Sequence, residues 1–520
     1  MVLAIASMYQ LDMDGTLCDA DSRGWQESES YYTLAHTLIE AEKGPPCLAS
    51  IQARFLMVLY LLSSSRANQA WYTHGVTVQL IMTLGLHRRQ MVRTNGQQMD
   101  YVELECQKRV FWCSYTVDKY LSVIIGRPRL LQDEDIDQIY PAHVNDEDLT
   151  PHAINPRPDR DCTMDAPIFH ARLARILAHA SREMYGIRKL SDQQRIESSL
   201  ARTQEIAEWQ TQLPPFISGA VQASTLIPVY RRQLTVLRLA QWHATMFVTR
   251  PLLLRDYARK LESSYALSYR QQLRSCVLAA KNVIDLILTF VQEGQLFPAF
   301  WYSQYIAFNA LSIVYVYVLQ VRKQRIPSQI LCAIDDQPSV MDDRSLLQLA
   351  ESAQEHLANA TVRNAPAWRY SVLLDGLRCE VTGAVATSPS HGPMAPYHTT
   401  ETHTPTIAGV GTTSGLRRQS GQSLETSTIP SHIRIMSDAN HPSTYDGMSY
   451  SAPNQVDTGQ MYSNAGLLEP MWGTPNSTGE MDLNFEFWPH FDSLPLCKFC
   501  LLSPCPYRLT TLQHTPMLTP

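Results

Sequence analysis

The chain has 520 residues, only 22 of which are glycine, and its formal net charge at pH 7 is −6. The scarcity of glycine disfavours a loop-rich sheet enzyme, and the length suffices for one large helical body with a further segment. Residues 384–520 carry five basic and ten acidic side chains, which leaves the rest of the chain nearly neutral. No broad positive field is therefore available to hold nucleic acid.

Helical periodicity dominates the chain from its first residue. Apolar side chains at three- and four-residue spacings predict helices over residues 1–10, 31–41, 50–62 and 68–84. A fifth helix is expected to end at Gly126, because glycine accepts the left-handed conformation that closes helices and Pro128 cannot continue one. Its apolar and thiol stripe is Val102, Cys106, Val110, Cys113, Val117, Leu121 and Ile124.

Residues 139–166 are rich in Pro, Asn and Asp and predict a long loop. Helical patterns then resume over residues 168–184, 194–212, 230–248, 269–292, 300–322 and 345–359. Few segments alternate with the two-residue period of a strand. The sequence therefore predicts an all-α fold, a large multi-helix domain over residues 1–382.

Residues 295–321 contain no charged side chain and raise the question of a membrane span. A span needs ~20 mostly apolar residues, and polar or helix-breaking residues such as Pro298, Gln304 and Asn309 interrupt this run. A buried core helix is the favoured interpretation, and no membrane association is expected. The odd number of scattered cysteines, 11, likewise indicates a reducing intracellular setting rather than a disulfide framework.

The composition changes after residue 382. Residues 383–520 are dominated by Ser, Thr, Pro, Gly and His and predict a disordered C-terminal tail, because they cannot bury enough apolar surface to offset the entropy of ordering. Within this tail, residues 480–492 interleave carboxylates with aromatic rings. They are a candidate activation segment, or else a strip that docks back on the helical body. The candidate residues are Asp482, Phe485, Glu486, Phe487, Trp488 and Phe491.

The stretch from residue 107 to residue 137 resembles a family signature. It contains RVFW, an aspartate two turns later, GRP and then DEDID, and this order is similar to the fungal transcription factor regulatory domain, also called the middle homology region. The resemblance covers residues 1–382. It is strong over residues 48–137, which include LGLHR at 84–88, and weaker after that, through RYSVLLDGLRCEV at 369–381. The signature residues are Arg109, Phe111, Trp112, Asp118, Gly126, Arg127, Pro128, Asp135 and Asp137.

This resemblance implies a non-enzymatic, nuclear regulator of RNA polymerase II genes. It also implies coactivators recruited through the tail, and a small-molecule effector in an interhelical pocket. Members of the family usually carry a zinc binuclear cluster of six cysteines that binds DNA, and this chain shows no such cluster. Zinc is therefore not expected as a cofactor here. Either the chain is truncated, or it acts through a DNA-bound regulator or as a homodimer, or it has lost regulation.

Three of the charged signature side chains, Arg109, Asp118 and Arg127, are the strongest candidates for a specific role. Arg109 and Asp118 are too far apart along one helix to pair directly, so each is expected to pair elsewhere. Arg127, beside a helix C-terminus, is expected to bind free carbonyls or one of the carboxylates that follow it. Structural ion pairs are favoured over a ligand site for all three.

Two motifs suggest other chemistry. Asp12 and Asp14 in DMDGT resemble the nucleophile and general acid of haloacid-dehalogenase-like phosphatases, but no βαβ alternation follows to build their scaffold. Cys497, Cys500 and Cys505 have the spacing of zinc ligands within low-complexity flanks, which favours an unstructured thiol cluster. A phosphatase and a helical scaffold without an effector remain the alternatives to a regulator.

Overall fold

The computed structural model describes residues 1–9, 23–89, 100–188, 190–254, 263–293, 299, 301–326, 342–360 and 368–383. Within those ranges it contains 13 α-helices and no β-strand, so the predicted all-α fold is confirmed. The helices are α1 (Val2–Ser7), α2 (Arg23–Glu40), α3 (Leu48–Ser63), α4 (Ala67–Thr83), α5 (Tyr101–Ile125), α6 (Asp165–Met184), α7 (Asp192–Thr211), α8 (Pro215–Ser218), α9 (Pro228–Leu253), α10 (Ser263–Gln292), α11 (Trp301–Arg322), α12 (Asp343–Ala360) and α13 (Trp368–Thr382).

The centre of the stack is α11. Every residue from Trp301 to Gln320 is buried, and α11 packs against α9, α10, α12 and α13. By length and composition alone, α11 and residues 265–292 of α10 are apolar enough to cross a membrane, but 94% of the most apolar window of α11 is buried inside the protein. The predicted core helix is confirmed for the part that the structure describes.

The remaining helices build outward from this centre. Helix α6 packs against α5, α7 and α9, and α3 packs against both α4 and α2. Helix α2 contacts α1 and α3 and lies at the edge of the stack. One contiguous hydrophobic core runs from α1 to α13.

Three helix boundaries differ from the prediction by five residues or more, and one of them is the start of α10, at Ser263 rather than residue 269. Helix α2 begins at Arg23 rather than at residue 31. The prediction missed its first turns because they are mostly polar and lack an apolar stripe. Helix α9 continues through Pro251 to Leu253 instead of ending near residue 248. Proline has no N–H to donate to the carbonyl of Phe247 four residues earlier, and the Tyr185 hydroxyl donates to that carbonyl at 2.6 Å instead.

Candidate functional site

Helix α5 carries four of the nine signature residues, and its central part is buried on all sides. Asp100 caps its start by accepting from the backbone N–H of Val102 at 2.9 Å, and Gly126 ends it at φ 66°, in the left-handed region as expected. From Lys108 to Ser122 every residue is buried. The predicted apolar stripe does face the core, and the segment that follows α5, residues 126–164, contacts polar side chains on the other faces of the helix.

Charged side chains at the start of α5 hold residues 142–146 of that segment. Arg109 Nη1 donates to Asp146 Oδ1 at 2.6 Å, and its Nη2 reaches the carbonyl of Val144 at 3.5 Å. Glu105, fully buried, accepts from the backbone N–H of Ala142 at 2.9 Å. Arg109 therefore pairs with a residue 37 positions later in the sequence rather than with one in its own helix.

Aromatic signature residues hold the same segment one turn further along. Trp112 Nε1 donates to the carbonyl of Ile139 at 2.9 Å, and its ring stacks on Tyr140 at 4.2 Å between centroids. Phe111 is fully buried and meets Trp112 edge to face at 5.2 Å. These contacts bury the two aromatic rings and give the indole N–H of Trp112 a hydrogen-bond acceptor.

Asp118 fixes the turn after Gly126. Its two carboxylate oxygens accept from the backbone N–H groups of Leu130 at 2.9 Å and of Leu131 at 3.1 Å. On the other side, His74 Nε2 of α4 lies 3.9 Å from Asp118 Oδ1. Burial lowers the pKa of His74 to about 4, so this imidazole is neutral at pH 7. Asp118 and Arg109 do not pair with each other, and each anchors a different part of the chain after α5.

Lys119 also holds the turn that Asp118 fixes. Its buried ammonium donates to the carbonyl of Leu131, lies 3.4 Å from Asp118 Oδ2 and 4.0 Å from Asp133 Oδ1, and sits over the ring of Tyr115 at 4.4 Å. The Tyr115 hydroxyl donates to Asp133 at 2.6 Å. Burial lowers the pKa of Lys119, and the two carboxylates partly offset this effect. Sequence reasoning did not select Lys119, because a lysine beside an aspartate is usually a solvated pair.

Arg127 joins the turn to α4. Its Nη2 donates to Asn68 Oδ1 at 2.7 Å, and its guanidinium lies 4.6 Å from the ring centroid of Trp71. Arg127 was expected to bind carbonyls or a following carboxylate, and its side-chain hydrogen bond goes instead to the amide of Asn68 on α4. Pro128 is exposed beside it.

The acidic run is only partly a surface feature. Asp133 is largely buried by its contacts with Tyr115 and Lys119, whereas Asp135 is exposed. Asp137 is exposed as well, and it accepts from the backbone N–H of Arg89 at 2.7 Å.

A small pocket lies between α5, α6 and the segment after α5. Its cavity volume of about 10 Å³ is roughly that needed for one water molecule. Arg109, Trp112 and Cys113 of α5 and His170 of α6 line it. The other lining residues are Thr116, Pro141, Met164, Pro167 and Ile168.

Behind His170 lies a buried cluster of imidazoles and phenols. His170 Nε2 is 2.9 Å from the Tyr120 hydroxyl, and Tyr302 of α11 donates to that hydroxyl at 3.2 Å. His243 of α9 stacks on Tyr120 at 5.8 Å, and neither of its ring nitrogens has a hydrogen-bond partner among the described residues. Burial lowers the pKa of both histidines to about 3. The cluster joins four distant helices, and no local sequence signal marks it.

Several predicted sites lie outside the described residues. These are Asp12 and Asp14, the cysteines near the C-terminus, the tail and its segment over residues 480–492. Among the residues that are described, no group of three or more His, Cys, Asp or Glu side chains could hold a metal ion.

Comparison with known proteins finds similarity to fungal transcriptional regulators. Residues 1–213 match the fungal specific transcription factor domain. Activator of stress genes 1 of Saccharomyces cerevisiae is 26% identical over 296 residues, covering 56% of this chain and 30% of that protein. Transcriptional activator protein acu-15 of Neurospora crassa is 23% identical over 275 residues, covering 52% and 28%. An ABC-transporter-regulating transcription factor of Aspergillus fumigatus is 24% identical over 334 residues, covering 62% and 36%.

The chain thus spans about a third of the length of the curated relatives that it matches. No solved structure matches it significantly. The chain is thus similar over residues 1–213 to the fungal specific transcription factor domain, and the relatives that it matches are named as fungal transcriptional regulators.

Proposed function

We propose that the chain is a nuclear regulator of RNA polymerase II transcription of the fungal type, in which the helical body controls activity rather than catalysing a reaction. The observation that carries this proposal is the family match over residues 1–213. The names of the matched relatives point the same way. The phosphatase alternative is not favoured, because its carboxylates require a parallel sheet and the described residues contain no strand.

DNA contact is the part of this function that the described residues do not supply. They include no metal cluster, and the chain shows no broad positive field. We propose that the chain reaches DNA through a DNA-bound regulator, through a homodimer, or through a zinc cluster encoded with it. Chromatin immunoprecipitation of the full chain, with and without candidate DNA-bound regulators, distinguishes these routes.

The tail is the proposed contact with coactivators. Carboxylates over residues 480–492 keep the neighbouring aromatic rings in water until a partner groove accepts them. The full chain, fused to an unrelated DNA-binding domain, should drive a reporter. Replacing Phe485, Phe487 and Trp488 by alanine should reduce that output by about tenfold, because aromatic anchors dominate such interfaces.

A matched control replaces Tyr445, Tyr450 and Tyr462 in the same tail by alanine and should leave the reporter output within about twofold. A fusion that stays silent, with chromatin occupancy intact, would favour the helical scaffold without an activation role. Output that rises in the variant with the three 480–492 aromatics replaced would instead favour docking of that segment on the helical body.

The pocket beside Arg109 and His170 is the proposed place for a small-molecule effector. Its present volume of about 10 Å³ admits roughly a single water, so a larger effector requires the segment after α5 to move away from α6. Arg109 controls that movement, because its contact with Asp146 ties the segment down. An Asp146→Asn variant should therefore respond to lower effector concentrations than the wild-type chain in the same reporter assay.

A further inference from the structure

One face of α6 carries two arginines that no carboxylate pairs with directly. Arg172 and Arg175 are half-buried and lie three positions apart, so they share this face of the helix. Arg182, further along the same helix, pairs with Glu134, but neither Arg172 nor Arg175 forms an ion pair within the described part of the chain.

Aromatic rings hold the two guanidinium groups in place. The guanidinium carbon of Arg172 lies 5.4 Å from the ring centroid of Tyr140. That of Arg175 lies 5.6 Å from the centroid of Tyr140 and 5.6 Å from the centroid of Trp112. Arg175 also hydrogen-bonds the hydroxyl of Tyr115, but its buried Nε has no hydrogen-bond partner among the described residues. Cation–π contacts therefore orient both groups and leave most of their N–H donors available to a ligand.

The nearby carboxylates are held by other partners. Asp165 Oδ1 lies 2.5 Å from His143 Nδ1. The carboxylate of Asp133 lies 4.0 Å from Lys119 Nζ and 3.9 Å from His179 Nε2. Both carboxylates act on the two arginines only at longer range. The arginine pair therefore keeps positive charge that the described residues around it do not pair with directly.

The two arginines lie at the edge of the pocket between α5, α6 and the segment after α5. Ile168, which lines this pocket, precedes Arg172 by four positions and so lies on the same face of α6. Trp112 lines the pocket as well and is in contact with Arg175. An anion bound by the two arginines is consequently next to an apolar cleft.

We infer that Arg172 and Arg175 bind the anionic group of the effector, a small organic acid whose apolar part enters the pocket beside Trp112. This inference rests on the effector site proposed above and adds the chemical class of its ligand. The planar fork of arginine pairs with the oxygens of a carboxylate or of a phosphate ester in the same way. A neutral ligand of the same shape gains nothing from the two charges and binds more weakly.

Titration of the full chain with benzoate, followed by ligand-observed NMR, tests this inference. Benzoate has one carboxylate and one ring, and it should bind wild type with a dissociation constant of about 1 mM, as its few atoms allow. Benzamide, its neutral analogue, should bind at least about tenfold more weakly. Phenyl phosphate distinguishes the two kinds of anion, because tighter binding than benzoate identifies a phosphate ester and weaker binding a carboxylic acid.

Variants on α6 locate the bound anion. Arg172→Gln and Arg175→Gln should each weaken benzoate binding by about tenfold. Arg172→Lys keeps the charge but loses the planar fork, so its affinity should be intermediate. Arg182→Gln is the matched control, since that guanidinium is already paired with Glu134, and it should change the affinity by less than about twofold. Circular dichroism of each variant verifies that the helices are retained.

Four results would overturn the inference. They are the absence of saturable binding of benzoate and phenyl phosphate to wild type up to about 30 mM, benzamide binding as tight as that of benzoate, unchanged benzoate affinity in Arg172→Gln and Arg175→Gln, and an equal loss in Arg182→Gln. None of these measurements involves transcription. Failure here leaves the proposed regulatory role intact, whereas a silent reporter alongside intact benzoate binding counts against that role alone.

Discussion

Replacing Asp118 by asparagine tests whether the signature aspartate is a structural anchor. The carboxylate of Asp118 accepts two backbone N–H groups and lies 3.4 Å from the ammonium of Lys119. An asparagine side chain has the same shape but only one acceptor oxygen, and its amide nitrogen is a donor. At least one of the N–H groups of Leu130 and Leu131 is therefore left without its acceptor.

The size of the effect follows from burial. Lys119 is 1% exposed, so loss of the adjacent carboxylate leaves a buried cation with less compensation. Removing one partner of a buried pair costs about 3–5 kcal/mol, and a lost charge-assisted hydrogen bond costs about 1.5–3 kcal/mol. These two estimates overlap, and Asp133 retains part of the compensation at 4.0 Å. We expect Asp118→Asn to lower the free energy of unfolding by about 3 kcal/mol.

Urea unfolding of the full chain measures this loss, and hydrogen exchange locates it. The amides of Leu130 and Leu131 should exchange faster in the variant than in wild type, because their acceptors have changed. Asp285→Asn is the control, since its carboxylate pairs with Lys281 at 2.7 Å but its side chain is 44% exposed. That substitution should cost less than about 1 kcal/mol.

Two results would refute the reasoning. One is a loss for Asp118→Asn within about 1 kcal/mol of the control, and the other is unchanged protection of the two amides. A further variant separates the charge from the hydrogen bonds. Lys119→Met in the Asp118→Asn background should recover part of the lost stability, because it removes the uncompensated cation.

Three further predictions follow from the same contacts. Tyr185→Phe should lower the free energy of unfolding by about 2 kcal/mol, because the carbonyl of Phe247 loses its hydrogen-bond donor. The loss should be smaller in a Pro251→Ala background, because alanine restores a backbone N–H that can donate to this carbonyl. Burial lowers the pKa of His243 to about 3 from its usual ~6.5, so the unfolded chain binds the extra proton between these values and stability falls as the pH is lowered through them. His243→Phe should remove about 1.4 kcal/mol per pH unit from the slope of unfolding free energy between pH 6 and pH 4, without loss of stability at pH 7. A fragment of residues 1–213 should fail to show a cooperative unfolding transition, whereas residues 1–383 should show one by circular dichroism.

Most of the helices could be placed because their own sequences carry the evidence, whereas α8 and α13 were not predicted. The stripe of α6 and the glycine stop of α5 are local features, and local periodicity is enough to place them. The start of α2 could not be placed in this way, because polar first turns resemble a loop. The continuation of α9 through Pro251 was missed because its compensating donor, Tyr185, is far away in sequence.

The candidate site shows the same difference between local features, which the sequence reveals, and contacts between residues distant in the sequence, which it does not. The signature positions could be named from the sequence, but not their partners, since Arg109 meets Asp146 and Arg127 meets Asn68 only after the chain has folded over α5. A charged residue on a helix ordinarily predicts a solvated face. Here the segment after α5 supplies backbone groups and side chains that replace water, so Lys119 and Asp118 are buried without being part of an apolar stripe. Local periodicity contains no information about this second layer.

The physical unit formed by this layer is larger than the region that matches the family. The match ends at residue 213, just after α7, yet α9 packs against α6 and α7 and contributes His243 to the cluster around Tyr120 of the signature helix. Tyr302 of α11 donates to the same tyrosine. Cutting the chain at residue 213 would expose these apolar and polar surfaces together, because it would remove α9, which packs on α6 and α7, and α10, which also packs on α7. Tyr120 of the signature helix therefore depends on helices beyond the matched region for part of its burial, and a signal that loosens α9 or α11 would reach α5 through direct contact with this side chain.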